Sequence, residues 1–459
     1  MYHPIKTIFA RIIQPPKMMI ILLVCISFLA KTATLQVTEY QTSFIKALPI
    51  SKDDFLVSEK MVKKGVVRPL SLVLLPHSYP GARCLDGSKF GYYFRKSRSH
   101  ENSQKWILFL MGGGACITPI DCMRRKQSHL GSSLFWNSTF TPGKDYPGIN
   151  AMHDILSSDA TVNPDFFDYN HVYLRYCSGD LWTGTRTSFD KFGLWFSGHK
   201  NIEATTRHLK KAQNLDRATH VLLLGVSAGG WGVFNNADFF TERWIPRSTV
   251  FKAVPVDGFI STGPMIPYPM FRFGINVPVN AFFSKYLTTW FKSALDESCV
   301  KSTVKWKRHR CLDVNYLYNF VDTRLFIMQN RFDRYVLEFL GAPINATDDH
   351  TKDRFLAGFG DNTIRNVGFK SLSKRGKYKG DGLFIPSCLK HAGNFCLHRG
   401  QVVNGKVIKN LLPNWFLEED PNAASNFQEI DQCNLLQKTN FPCNKVCQCS
   451  DSGNSIVIG

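Results

Sequence analysis

Ser227 stands in the run Gly225-Val226-Ser227-Ala228-Gly229, after the apolar Val221-Leu222-Leu223-Leu224 and before a segment of helical composition. Strand, tight turn and helix in that order project a hydroxyl beyond the edge of a sheet, with a helix N-terminus behind it. The glycines fit because strand and helix approach too closely there for larger residues. Serine is a poor nucleophile until a base takes its proton, so a histidine oriented by a carboxylate must lie within reach. A purely structural turn uses the same small residues, and the flanking strand and helix weigh against it.

In this strand-turn-helix arrangement the partners follow in the order serine, acid, histidine. Asp333 comes just after the apolar Arg324–Gln329, at the carboxyl end of an expected strand, and Asp257 follows another apolar run as the rival acid. His391 lies between Cys388 and Cys396, where a disulfide would pin its loop, and His350 and His398 are alternatives. Chain order leaves these choices open; each histidine serves equally well as a surface or core side chain. The third requirement is donors for an oxyanion. Gly112, Gly113 and Gly114 follow the strand-like Trp106–Met111, and their uncovered N–H groups can join that of Ala228. Three glycines also make an ordinary tight turn, which is compatible with that role. This chemistry calls for no metal and no organic cofactor. Cys443, Cys447 and Cys449 cluster closely, but no second ligand pair at finger-like spacing accompanies them.

Short apolar runs recur at Ser71–Leu75, Trp106–Met111, His171–Tyr176, His220–Leu224 and Arg324–Gln329. They lack strict alternation, as strands buried on both faces do, and the segments Lys200–Ala212 and Gly230–Arg243 read as helices between or after them. The expectation is an α/β chain of α/β-hydrolase type: a mostly parallel sheet covered by helices. Residues 261–311 are richer in Phe, Pro and Tyr and read as a lid insertion, with Phe282, Phe283, Tyr286, Trp290 and Phe291 as its apolar area. Residues 433–459 read as a cysteine-rich tail. The plan is therefore a leader over 1–34, a polar connecting arm over 35–68 and one elaborated domain over 69–459.

The 459 residues are 44% hydrophobic and 13% aromatic with 20% charged, which supports a large core and excludes disordered and fibrous classes. Lys6, Arg11 and Lys17 precede the apolar Met18–Ala30, shorter than the roughly 20 residues of a membrane span, so a signal peptide is expected. The residues around Thr32-Ala33-Thr34 match a cleavage site poorly, which keeps an uncleaved signal anchor as the alternative. Of 13 cysteines, Cys25 lies in the leader and the rest form an even set, as a secreted disulfide framework requires. The sequons at Asn137 and Asn345 agree with export. A net charge of +20 attracts polyanions, which outside the cell are sulfated or acidic glycans rather than nucleic acid. The clusters Lys305–Arg310 and Lys374–Lys379 would supply that patch, although each alone also reads as a solvated face.

From about residue 70 to 450 the chain resembles the family of Notum and the pectin acetylesterases. Gly112–Cys116 with Cys122 resembles its glycine-rich loop, Leu174–Gly184 a family block, Gly225–Gly230 its elbow, Phe332-Asp333 its acid loop and Pro386–His391 its histidine loop. Asp180 and Trp182 lean toward the animal branch; Leu130–Ser133 and Asn163–Phe166 lean toward the plant enzymes. The resemblance implies a triad of Ser227, Asp333 and His391, with Gly113, Gly114 and Ala228 as oxyanion donors. It also implies the pairs Cys84 with Cys177, Cys116 with Cys122, and Cys299 with Cys311. It implies a serine carboxylesterase that removes either palmitoleate from Wnt proteins or acetyl groups from pectin. Gly114 stands where the animal branch has Trp, and Leu312-Asp313 where an aromatic pair is expected, so the lipid pocket departs from the pattern. The Asp180/Trp182 block and a basic surface suited to heparan sulfate proteoglycans tip the expectation to the Wnt deacylase. An inactive glycan-binding module is the reading from a different class.

Overall fold

His220-Val-Leu-Leu-Leu-Gly-Val226 offers no polar face to water, and it forms a strand near the middle of a ten-stranded sheet. The computed structural model describes residues 67–142, 153–260, 268–272, 280–344, 350–368, 380–392 and 401–432, with Asn444 and Cys447. All of them fall within the compact unit Leu56–Gly459.

The first eight strands are β1 (Leu70–Leu74), β2 (Gly91–Arg95), β3 (Lys105–Leu110), β4 (Thr139–Phe140), β5 (Asn170–Leu174), β6 (His220–Val226), β7 (Val250–Val256) and β8 (Phe326–Met328). Then come β9 (Phe332–Asp333), β10 (Gly382–Ile385), β11 (Leu389–Lys390), β12 (Val402–Val403), β13 (Lys406–Val407) and β14 (Gln428–Ile430). The large sheet runs β14-β10-β8-β7-β6-β3-β5-β2-β1-β4. From β14 to β5 every neighbouring pair is parallel, while β2, β1 and β4 close one edge antiparallel. This is the expected α/β-hydrolase core, with a mixed sheet.

β3, β5, β6 and β7 are buried along almost their whole length, as strands covered on both faces are. The flanking helices include α1 (Pro119–Arg125), α2 (Gly198–Gln213), α3 (Ala228–Phe239), α4 (Asn280–Phe291) and α5 (Arg334–Phe339). Every residue of α3 is buried, Asn235, Asn236 and Asp238 included, so this helix sits inside the core directly behind the Ser227 turn. α2 buries Ile202, Thr205, Thr206 and Leu209 along one stripe and ends on Asn214, whose φ of 61° stops the helix.

Four disulfides join described residues: Cys84–Cys177, Cys116–Cys122, Cys299–Cys311 and Cys388–Cys447. The leader and most of the connecting arm lie outside the described residues. Arg68, at the end of that arm, takes part in the body: its N–H donates to Ser158 Oγ at 2.6 Å and its guanidinium lies 3.6 Å from Asp168. Of the lid region, 261–267 and 273–279 lie outside the described residues, as do Asn345, Lys374–Lys379, Cys396, His398 and all of the tail except Asn444 and Cys447. Among the described residues no helix is long and apolar enough to cross a membrane.

Candidate active site

β6 ends at Val226 and α3 begins at Ala228, so the whole turn between them is Ser227, with φ 57° and ψ −120°. A non-glycine residue in that region is strained, at a cost on the order of 1–3 kcal/mol, and is tolerated where the surroundings over-determine it. The surroundings here are tight. A Cβ on Gly225 would lie 2.3 Å from Gly229 O, and one on Gly229 would lie 2.1 Å from Leu110 O. The Ser227 N–H donates to Val256 O at 2.8 Å, fixing the turn to the end of β7.

The candidate base and acid, His391 and Asp333, come from two loops that meet as a small parallel ladder, β9 with β11, in which Asp333 lies opposite Lys390. His391 follows Lys390. Its Nε2 is 2.8 Å from Ser227 Oγ and its Nδ1 is 3.0 Å from each carboxylate oxygen of Asp333. With the proton on Nδ1, that N–H donates to Asp333 and Nε2 accepts from the serine hydroxyl. Asp333 is fully buried and caps α5 by accepting the Val336 N–H at 3.1 Å; Gln329 Nε2 donates to its other oxygen at 3.3 Å. Burial by itself lowers the His391 pKa, but the charge and hydrogen bond of Asp333, with Asp257 and Glu338 behind it, outweigh this and raise it to about 9. The ring of Tyr335 lies beside the imidazole, 5.1 Å between centroids.

The glycine-rich loop leaves β3 beside the serine. A Cβ on Gly112 would lie 3.0 Å from Ser227 Cβ and 2.6 Å from Val226 O. Gly113 and Gly114 take φ of 141° and 68°, conformations that glycine adopts without strain. Among the described residues the N–H groups of Gly113, Gly114 and Ala228 have no protein acceptor. Unused donors on the loop that leaves β3 beside Ser227 and at the first residue of α3 are the kind of group that can stabilise a tetrahedral oxyanion.

Asp180 and Trp182 serve this loop from behind. The buried Asp180 carboxylate accepts from Ser178 Oγ at 2.6 Å, Gly198 N–H at 2.7 Å and Trp182 N–H at 3.1 Å. Trp182 Nε1 donates to Met111 O at 3.0 Å, just before the glycines, and a Cβ on Gly232 of α3 would lie 2.7 Å from Trp182 Cβ. The block thus braces the glycine loop against α3.

Of the alternative residues, His350 is exposed at the start of the helix His350–Thr363 and has no hydrogen bond to Ser227 or Asp333. Asp257, the rival acid, is buried beside the triad: one ligand atom from each of Asp257, Asp333 and His391 lies within 4.8 Å of the others. Three donors of that kind can bind a metal ion, but both His391 nitrogens are already engaged, by Asp333 and by Ser227. Sequence reasoning missed Gln329, Tyr335 and the Cys388–Cys447 link. No spacing signal announces the first two; the disulfide partner of Cys388 is set only by the fold.

A family model described as pectinacetylesterase matches residues 64–448. The palmitoleoyl-protein carboxylesterase NOTUM of Schmidtea mediterranea is 29% identical over 319 residues, covering 67% of this chain and 55% of that protein, so the match spans about half of the planarian protein's length. Pectin acetylesterase 4 of Arabidopsis thaliana is 27% identical over 361 residues, covering 74% of this chain and 81% of that protein. Among solved structures, the Wnt deacylase Notum from Drosophila superposes with a TM-score of 0.63 at 25% identity, over 80% of this chain and 97% of that one.

Proposed function

The chain belongs to the pectinacetylesterase family, a family of carboxylic-ester hydrolases, and from that premise we propose that it is a serine carboxylesterase acting through Ser227, His391 and Asp333. The observation that carries this reading is the unbroken chain of contacts from Ser227 Oγ through His391 to Asp333. In acylation His391 takes the Ser227 proton as Oγ attacks the ester carbonyl, and Gly113, Gly114 and Ala228 N–H groups receive the oxyanion. The alcohol leaves with the proton from Nε2. Water then attacks the acyl-enzyme with the same base.

For the substrate, the surroundings of Gly114 favour a short acyl group on a polar alcohol, an acetylated polysaccharide of the pectin type. The groups nearest the missing Cβ of Gly114 are the Tyr335 hydroxyl at 3.5 Å and Arg125 Nη2 at 3.7 Å, a polar and cationic wall. The aromatic residues of α4 are mostly committed elsewhere. Phe283 packs on Phe339, Tyr286 donates to Ile117 O at 2.6 Å, Trp290 packs on Phe196, and Phe291 is buried. Phe282 at 54% and Tyr286 at 38% are the exposed members of the five. The second reading, removal of palmitoleate from a Wnt protein, has the support of the planarian and Drosophila relatives.

Export fits the four disulfides and the exposed Asn137 sequon. Heparan sulfate or another acidic glycan is the proposed surface partner. Lys305–Leu312 presents Trp306 at 73% exposure with Lys307 Nζ 4.4 Å over its ring. The test is hydrolysis of para-nitrophenyl esters from acetate to palmitate by wild type and Ser227→Ala. Preference for acetate supports the acetylesterase, and preference for chains of about eight carbons or longer supports the lipid deacylase. Turnover that survives Ser227→Ala sinks the catalytic assignment, and no turnover by wild type returns the glycan-binding module.

A further inference from the structure

Asp257 leaves the carboxyl end of β7 fully buried, with a φ of 41°. Its own N–H donates to Met328 O at 2.8 Å. Its carboxylate accepts three hydrogen bonds: from Asn330 N–H at 2.7 Å, from Asn330 Nδ2 at 2.6 Å and from Ala392 N–H at 2.5 Å. One side chain therefore joins the loop after β7, the loop that leads to Asp333 and the loop that carries His391. Ala392, next to His391, has a φ of 61°, so this hydrogen bond holds a turn that alanine does not favour.

Holding the loops takes both oxygens: Asn330 N–H meets Oδ1 and Ala392 N–H meets Oδ2, and an amide would accept only one of the two. A buried carboxylate still costs several kcal/mol unless it is paired. What distinguishes Asp257 is its position within 4.8 Å of both Asp333 and His391. Two carboxylates here face one imidazole. Burial and the charge of Asp333 push the Asp257 pKa up to about 7, while His391 and the N–H groups of Asn330 and Ala392 pull it down. Glu338, on α5, also acts on His391.

We propose that Asp257 is a positioning residue for the base: its carboxylate fixes the His391 turn through Ala392 and stabilises the imidazolium formed when His391 takes the Ser227 proton, so it sets the pH at which the site becomes active. This rests on the role given to His391 above. The proton moves from Ser227 Oγ to Nε2, and the positive charge left on the ring is shared between Asp333, which accepts from Nδ1, and the field of Asp257.

The test compares wild type with Asp257→Asn, which keeps one of the two acceptor oxygens and loses the charge, on para-nitrophenyl acetate across the pH range. Losing a negative neighbour makes the imidazolium easier to deprotonate, so the midpoint of kcat/KM moves down by about one pH unit, and kcat falls about tenfold with less change in KM. An unchanged midpoint overturns the proposal, because a merely structural carboxylate leaves the histidine's basicity alone. A second measurement needs no turnover: NMR titration of the His391 ring in Ser227→Ala, with and without Asp257→Asn. The same downward shift is expected, and identical titration curves overturn the proposal. Failure of the esterase reading shows instead as turnover that survives Ser227→Ala, so the two failures are read separately.

Discussion

His391 is held one residue beyond the backbone partner of the acid it binds: Lys390 pairs with Asp333 in a two-residue parallel ladder, and the His391 ring turns back to meet both Asp333 oxygens at 3.0 Å. Acid and base come from segments 58 positions apart, yet their relative placement is set by main-chain pairing rather than by two independent loops. The Cys388–Cys447 disulfide begins three residues before His391 and anchors the same segment.

Removing the nucleophile separates activity from stability. Ser227→Ala and Ser227→Gly are both expected to lose labelling by a fluorophosphonate and about 10⁴-fold or more of ester turnover. The φ of 57° at position 227 strains serine and not glycine, so Ser227→Gly melts above wild type by the equivalent of about 1 kcal/mol. A calorimetric Tm for Ser227→Gly at or below wild type contradicts the strain at the elbow.

Gly229→Ala tests the close approach behind the serine. The new methyl would meet Leu110 O at 2.1 Å, between two buried backbones that cannot turn aside. A loss of roughly 2 kcal/mol or more in urea unfolding is expected, together with loss of labelling at Ser227. A well-folded, fully labelled variant shows that strand and helix do not meet this closely.

Activity and stability should run in opposite directions with pH. As the proposed base His391 must be neutral to act, and its pKa is raised to about 9, so kcat/KM is expected to climb with pH toward a midpoint above the ordinary 6.5. The same shift means that the folded state holds this proton more tightly than the unfolded chain does. Its stabilising contribution is complete below pH 6.5 and is lost as pH rises through about 9. Asp257, raised from 3.8 to about 7, adds in the same sense: its contribution is complete below 3.8 and is lost through about 7. A kcat/KM profile that stays flat from about pH 5 to 8 counts against His391 as the base.

Cys447→Ser releases the anchor of the histidine segment. The disulfide closes a separation of 59 residues, for which chain entropy alone gives about 4 kcal/mol of stabilisation. Under conditions where the variant is folded, kcat is expected to fall about tenfold because the His391 turn is less well held. If kcat is unchanged while Tm drops, the link stabilises the fold without positioning the base.

Much of the architecture was legible because burial on both faces leaves a plain signature. Val221–Leu224 and Trp106–Met111 are continuous apolar runs, and they form the middle of β6 and most of β3. α3 was legible too, though it begins at Ala228, two residues before the expected Gly230, because the strained serine lets the chain enter the helix at once. β2, β10 and β14 escaped, being short and recognisable only through the neighbours they pair with.

A serine on a turn between a buried strand and a buried helix is readable from residue order, because glycine spacing and apolar pattern are local properties. The sequence also supplied two acids and three histidines in the right order, without a local reason to choose among them. Only the tertiary structure decided that Asp333 caps α5 while its carboxylate accepts from His391, and that Asp257 is turned instead to Asn330 and Ala392. The physical reason is distance along the chain. Hydrogen bonds between residues 58 to 164 positions apart depend on how the loops at the carboxyl ends of β6, β7, β8 and β10 converge, and no periodicity in a sequence encodes that convergence.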